Sequence, residues 1–118
     1  MGTRGEGPTV DAAGEELADR VRALLGVDPS LEEKRMFGSR AFLLDGRILV
    51  GARKGGVLLV RVSEESGAAL ALRPGVTPAR MGAKTMSPRW LDVDASVVVD
   101  DAELVFWLDA AREDAEPA

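Results

Sequence analysis

The Asp45-Gly46 dipeptide constrains the fold of this chain more than any other feature of its sequence. It separates two aliphatic runs, residues 41–44 and 47–52. Such a dipeptide between apolar runs is the strongest short-range signal for a two-residue β-hairpin, because the turn needs two residues with positive φ. The spacing predicts two cross-strand pairs: Leu43 with Ile48, and Ala41 with Val50. An antiparallel sheet is therefore expected at the centre of the chain.

A third aliphatic run, residues 57–62, follows the Lys54-Gly55-Gly56 segment. A two-residue loop would put Arg61 on the same face as Val50, whereas a three-residue loop with a left-handed glycine would put Val60 there. Burying an arginine without a partner is strongly unfavourable. The sequence therefore predicts the three-residue loop, since a shift of one residue moves every side chain to the other face.

This register gives the predicted sheet two unlike faces. One face is entirely aliphatic and requires helices to cover it. The other face is mixed, since it carries apolar and basic side chains together: Phe42, Leu44, Leu49, Leu59, Arg40, Arg47 and Arg61. Such a face is either partly covered by another segment of the chain or it is a surface for a partner.

Three helices and two further short strands complete the expected domain. Apolar spacing and capping residues predict helices at residues 11–25, 64–72 and 101–113, and strands at 76–80 and 90–93. The third helix has an apolar stripe at helical spacing: Leu104, Trp107, Leu108 and Ala111.

The order of these elements, α-β-β-β-α-β-β-α, defines the expected fold class. Short sequential strands joined by tight turns predict a single α+β domain, with a five-stranded antiparallel sheet and flanking helices. We expect this domain at residues 11–114, with flexible tails at residues 1–10 and 115–118.

The charge of the chain is unevenly distributed. The net charge of −5 combines −5 in residues 1–33, +8 in residues 34–89 and −8 in residues 90–118. A basic middle segment can be a nucleic-acid surface. Alternatively, acidic helices from the two ends pack beside the basic sheet, and the charges cancel within the fold.

The composition argues against catalysis. The chain has no histidine and no cysteine, which excludes the usual zinc sites, a thiol nucleophile and a Ser-His-Asp triad. Asp92 and Asp94 alternate along a predicted strand and could share a metal ion, but acids at a strand end are the commoner explanation. Gly55-Gly56 lacks the Gly-Lys-Ser/Thr sequence of a phosphate loop. We therefore predict no enzyme activity, no catalytic residue, no metal site and no cofactor.

An ordered set of short segments carries a family resemblance. Residues 35–47 read Arg-Met-Phe-Gly-Ser-Arg-Ala-Phe-Leu-Leu-Asp-Gly-Arg, and the pattern continues through residues 58–62, Arg73-Pro74-Gly75, the Trp90 strand and the Trp107 helix. Over residues 12–113, this order resembles the TfoX N-terminal domain family. The resemblance implies an α-β3-α-β2-α fold. Full-length TfoX/Sxy proteins regulate natural competence and transcription and have a further C-terminal domain, so the resemblance implies a regulatory setting and no transferable biochemical activity.

These observations together favour a small non-enzymatic interaction or regulatory domain. We expect it to contact a partner protein or to form a homodimer, with nucleic-acid binding through residues 34–89 as the alternative. With no apolar segment typical of export or membrane insertion, we expect a cytoplasmic protein without membrane contact. Interface cores are enriched in arginine and aromatic residues. The expected partner-binding residues are Arg35, Phe37, Arg40, Phe42, Arg47, Lys54 and Arg61.

Overall fold

The structure, a computed structural model, describes residues 10–36, 38–81, 84–85 and 87–115. In chain order the elements are α1 (Ala12–Leu25), β1 (Leu31–Met36), β2 (Ser39–Leu44), β3 (Arg47–Arg53), a 3₁₀ turn (Lys54–Gly56), β4 (Leu58–Arg61), α2 (Glu64–Leu70), β5 (Val76–Pro78), β6 (Arg80–Met81), β7 (Lys84–Thr85), β8 (Trp90–Val93), α3 (Ala95–Val98) and α4 (Asp101–Ala115). The predicted α+β class with an antiparallel sheet is confirmed.

The main sheet has six strands in the order β1-β2-β3-β4-β8-β5, so the predicted number of five is wrong. The unexpected strand is β1, the charged edge strand. The sequence does not predict this strand, because four of its six residues are charged and apolar and polar residues do not alternate along it. The separate β6–β7 hairpin and the short helix α3 are also additions to the predicted order.

The β2–β3 hairpin turns at Asp45 and Gly46, as predicted, and both residues have positive φ (52° and 83°). Leu43 lies opposite Ile48, which confirms the first predicted pair. The second pair is wrong, because a β-bulge shifts the register so that Phe42 lies opposite Val50. A bulge inserts one residue into one strand and re-aims its neighbours. Here it brings Phe42 onto the helix-covered face of the sheet.

The β3–β4 loop has the predicted length of three residues. The Arg53 N–H donates to the Val57 carbonyl at 2.8 Å, and Gly55 has a left-handed φ of 76°. Val50 lies opposite Val60, so Leu58 and Val60 of β4 face the helices, and Leu59 and Arg61 lie on the other face of the sheet.

Helices α1 and α4 cover one face of the sheet and enclose the hydrophobic core. The predicted stripe of α4 is confirmed, since all four of its members are buried and Trp107 is fully so. The α1 residues Leu17, Val21 and Leu25 complete this layer. In the part of the chain that the structure describes, no helix is long and apolar enough to cross a membrane.

The opposite face of the sheet is covered at its centre by the chain itself. Leu59 is only 7% exposed, and Ala79, just after β5, is fully buried. On this face, the Arg53 guanidinium donates to both carboxylate oxygens of Asp92 at 2.9 and 3.1 Å. It also donates to the Arg80 carbonyl at 3.3 Å, which ties the start of β6 to the sheet. Of the two alternatives for the mixed face, self-coverage therefore holds at its centre.

Candidate functional site

Several arginines are neutralised by acidic residues from distant parts of the chain. Arg20 on α1 contacts the Asp101 carboxylate at the start of α4, at 2.6 Å. Arg53 on β3 contacts Asp92 on β8, at 2.9 Å. The Arg53–Asp92 pair joins the basic middle segment to the acidic C-terminal segment, whereas the Arg20–Asp101 pair joins the two acidic ends to each other. Arginines without such a pair are therefore the better candidates for binding a partner.

Arg40 belongs to the neutralised group. Its guanidinium lies 3.4 Å from the Glu15 carboxylate on α1 and 3.5 Å from the Glu33 carboxylate on β1. Its side chain is 27% exposed, and its Nε is buried without a hydrogen-bond partner. The structure thus places Arg40 between α1 and the sheet, with a structural role.

Glu33 contacts both Arg40 and Arg22, so its carboxylate is central to this group of charges. Its hydrogen bonds lead to a testable prediction about stability and pH. Two hydrogen bonds from Arg22, at 2.9 and 2.8 Å, hold the pKa of Glu33 below its ordinary value of 4.5. A lowered folded-state pKa contributes stability above pH 4.5 that is lost as the pH falls through the folded-state pKa. We expect Glu33→Gln to lower the free energy of unfolding by about 1 kcal/mol at neutral pH, and by less at pH values below 4.5.

Urea denaturation at neutral and acidic pH measures this difference. Glu16→Gln is the matched control, because Glu16 is at an exposed position of α1 and has no ion pair among the described residues. A constant difference between wild type and Glu33→Gln at every pH would contradict the assignment.

Phe42, one of the two expected aromatic contributors, is not part of an exposed patch. Phe42 is 4% exposed and packs in the core, as a consequence of the bulge in the β2–β3 hairpin. Its expected role on a partner surface is therefore corrected to a packing role. Phe37 lies outside the described residues.

Arg35 and Lys54 are exposed and lie away from Arg47 and Arg61, although Arg35 is directly opposite Arg40 in the pairing of β1 with β2. Arg35 is near the end of β1, and Lys54 follows the end of β3, so both lie at the end of the sheet opposite Arg47 and Arg61. Lys54 is close to Asp11, whose carboxylate accepts the Gly55 N–H at 3.0 Å. This hydrogen bond, and a second from Gly14, hold the pKa of Asp11 below its ordinary value.

The remaining expected residues, Arg47 and Arg61, meet at one end of the sheet. Arg47 begins β3, Arg61 ends β4 and Trp90 begins β8, and these neighbouring strands are antiparallel. Arg61 lies opposite Trp90, with its guanidinium carbon 5.9 Å from the ring centroid. Arg89 adjoins this pair, because its carbonyl accepts the Val62 N–H at 2.8 Å. We call Arg47, Arg61, Arg89 and Trp90 the arginine end.

The arginine end has an uncompensated positive charge. Among the residues that the structure describes, Arg47, Arg61 and Arg89 have no ion pair. Burial, followed by repulsion from Arg89 and then from Arg47, lowers the pKa of Arg61. Arg47 is exposed, while Arg61 and Arg89 are half-buried. A partly desolvated cation cluster of this kind is stabilised by an incoming anion.

Sequence reasoning found two of the four members of the arginine end. The sequence predicts Trp90 as the start of a strand and assigns no role to Arg89. Their contribution depends on β8 pairing with β4, although Arg89 is twenty-eight positions after Arg61 in the chain. The aromatic-basic pair Arg89-Trp90 is the signal that could have drawn attention to them.

The two aspartates considered as metal ligands have other partners. Asp92 is paired with Arg53, and burial raises its pKa although Arg53 acts in the opposite direction. Asp94 caps the N-terminus of α3, where its carboxylate accepts hydrogen bonds from the Ser96 hydroxyl and from the Ser96 N–H, the latter at 2.9 Å. These two bonds, the hydroxyl first, hold the pKa of Asp94 below its ordinary value. Within the described ranges, no group of three or more acidic residues could hold a metal ion.

Comparison with known proteins identifies one family. The family model of the TfoX N-terminal domain matches residues 23–115. The comparison with curated proteins finds no match. The comparison with solved structures likewise finds none. The family model covers most of the chain and spans the sheet, the arginine end and the helix α4. The chain therefore belongs to the TfoX N-terminal domain family.

Proposed function

We propose that this chain is a non-enzymatic, cytoplasmic interaction domain that binds an acidic segment of a partner protein at the arginine end. The observation that carries the proposal is the contrast between paired and unpaired arginines. Arg40 and Arg53 face carboxylates of the same chain, whereas Arg47 and Arg61 have no acidic partner among the described residues. Family membership supports a regulatory setting, since the resemblance is to regulators of competence and transcription.

The chemistry of the arginine end suits carboxylates. A guanidinium presents a planar fork of donors that binds a carboxylate through two hydrogen bonds. Arginine and tryptophan are also the residue types most enriched among those that dominate binding energy at protein interfaces. Trp90 is half-buried beside Arg61, so it can provide apolar contact next to the charge.

Acidic residues beside the arginine end favour a short peptide over a nucleic acid. The Ser63 N–H, two residues beyond Arg61, donates to the Asp114 carboxylate at 3.0 Å. Exposed Glu64 and Glu65 follow at the start of α2. A phosphate backbone extending past the arginines would meet these carboxylates, and the chain as a whole has a net charge of −5. A short acidic segment can contact the arginines without extending as far as these carboxylates.

The proposal predicts a position-specific loss of binding. Arg61→Glu with Arg89→Glu is expected to weaken the binding of a fluorescein-labelled oligoglutamate peptide by roughly 30-fold or more, since truncating charged interface partners costs about 2 kcal/mol or more. Fluorescence anisotropy at low salt measures the affinity. Native binding should weaken with added salt, because exposed charges are screened.

The control variant is Arg35→Glu with Lys54→Glu, which makes the same change in net charge at the opposite end of the sheet. It should retain nearly native affinity for the peptide. Equal losses in both variants would mean that the binding depends on net charge alone and would reject the proposed site. Tighter binding of a duplex DNA probe than of the peptide would instead favour the nucleic-acid alternative.

A further inference from the structure

The two edges of the main sheet differ in their ability to accept another strand. The edge strand β5 has three residues and ends in Pro78, which lacks an N–H group. The opposite edge strand, β1, has six residues and no proline. Unpaired main-chain groups on an edge strand are a template for pairing, and proline or a very short strand blocks it. The β1 edge is therefore the one open to extension of the sheet.

The direction of the main-chain groups in β1 follows from its pairing with β2. The Ser30 carbonyl accepts the Asp45 N–H at 3.0 Å, so this carbonyl points toward β2, while the Ser30 N–H donates to the Asp28 carboxylate at 2.8 Å. Since the direction alternates along a strand, the N–H and C=O groups of Glu33 and Arg35 point away from the sheet. These groups are placed to pair with an added strand.

We propose that two copies of this chain pair through their β1 strands, antiparallel and centred on Glu33, to form a symmetric dimer with one continuous sheet. A two-fold axis perpendicular to the sheet puts a residue opposite its own copy at the centre. With Glu33 there, Glu32 lies opposite Lys34 of the second copy, and Leu31 lies opposite Arg35 of the second copy. The Glu32–Lys34 contact occurs twice by symmetry. Opposite charges directly across a strand pair are stabilising.

Charge selects this register over its neighbours. Centring the pair on Lys34 would bring two ammonium groups together, and centring it on Glu32 would bring two exposed carboxylates together, which is destabilising. The Glu33 carboxylates are different, since each is bound by its own Arg22 at 2.9 and 2.8 Å and lies 3.5 Å from Arg40. Two copies of Glu33 can therefore lie opposite each other, because arginines of the same chain already neutralise each carboxylate.

Apolar surface beside β1 supports the same contact. A crevice of about 230 Å³ between the end of α1 and β1 is lined in part by Leu25, Val27 and Leu31. Val27 in this crevice is fully exposed. In the proposed register, Arg35 of the second copy lies opposite Leu31. Its aliphatic stem can cover apolar surface there while the guanidinium stays hydrated.

A charge-swap series tests the register. Glu32 and Lys34 have half-exposed side chains, and their mutual distance of 3.7 Å is that of a weak surface pair, so their exchange should leave the fold intact. We expect Glu32→Lys alone, and Lys34→Glu alone, to raise the dimer dissociation constant roughly tenfold or more, because both symmetric contacts become repulsive. The double variant Glu32→Lys with Lys34→Glu restores opposite charges and should return the constant to near its native value.

Sedimentation equilibrium over a wide concentration range measures the dissociation constant, and circular dichroism checks that each variant is folded. Glu16→Lys, with the same charge change on α1, should dimerise like the native chain. A strictly monomeric native chain, or a double variant that fails to recover, would overturn the proposal. Because β2 and β3 lie between β1 and the substituted residues Arg61 and Arg89, loss of the dimer and loss of peptide binding are distinguishable by the variants that cause them.

Discussion

Gly67→Ala is expected to lower the free energy of unfolding by about 2–3 kcal/mol, as overpacking in a tight site does. At an ordinary position inside a helix, replacing glycine by alanine raises the free energy of unfolding by roughly 0.5–1 kcal/mol. The sign reverses here because Gly67 is buried in α2 and a Cβ atom would overlap the carbonyl oxygen of Pro88. Both sides of this contact are backbone, so neither can rotate away. The strain would be relieved by moving α2 or the approach to β8.

Urea denaturation followed by circular dichroism measures the effect of Gly67→Ala. Ala68→Gly, at the exposed neighbouring position of α2, is the control, with an expected loss of about 1 kcal/mol from helix propensity alone. A Gly67→Ala variant as stable as the native chain would show that α2 does not pack against the Pro88 backbone. Since Pro88 precedes Arg89 and Trp90, the same contact helps to position the arginine end.

Arg40→Glu is expected to destabilise the fold by about 3 kcal/mol, whereas Arg61→Glu should change stability by no more than roughly 0.5 kcal/mol. Arg40 is between Glu15 and Glu33, so a glutamate there would place three carboxylates together. At Arg61 the reversal removes repulsion from Arg47 and Arg89, which compensates for the lost contact with Trp90. Two arginines on adjacent parts of the same sheet thus have opposite roles.

Comparing the urea midpoints of the two variants measures this difference. Arg40→Met, which keeps an unbranched stem without reversing the charge, should lie between the native chain and Arg40→Glu. Equal stability losses for Arg40→Glu and Arg61→Glu would contradict the division between internal and available arginines. The Arg61 variant also serves the binding experiment, because its fold should remain native.

Helices α1, α2 and α4 and the turns after β2 and β3 were predictable because their signals are local. The α4 stripe follows a period of 3.6 residues, and Ser63 caps α2 by accepting the Ser66 N–H at 3.0 Å. The Asp45-Gly46 turn needs only the φ angles of its two residues. The length of the loop at Gly55 was predictable because one of the two possible registers would bury Arg61. That comparison also uses only residues that are close in the chain.

Three decisive features were not predictable from local patterns. The bulge beside Phe42 places that side chain in the core, where packing against the helices stabilises it. No turn-forming residue in the sequence indicates the position of this bulge. The strand β1 has no apolar alternation, since it is paired on one side only. The insertion of β8 beside β4 joins strands that are not consecutive, and it brings Arg89 to Arg61.

The sequence by itself determined the fold class, the helix faces, the hairpin turns and the division of charge along the chain, because each depends on residues close to one another in the chain. The tertiary structure decided which charges cancel. Arg53 meets Asp92, and Arg40 meets Glu15, across separations that no sequence period encodes. Arg47, Arg61 and Arg89 converge without a described acidic partner because strand order, and not sequence order, sets the neighbours at the end of a sheet.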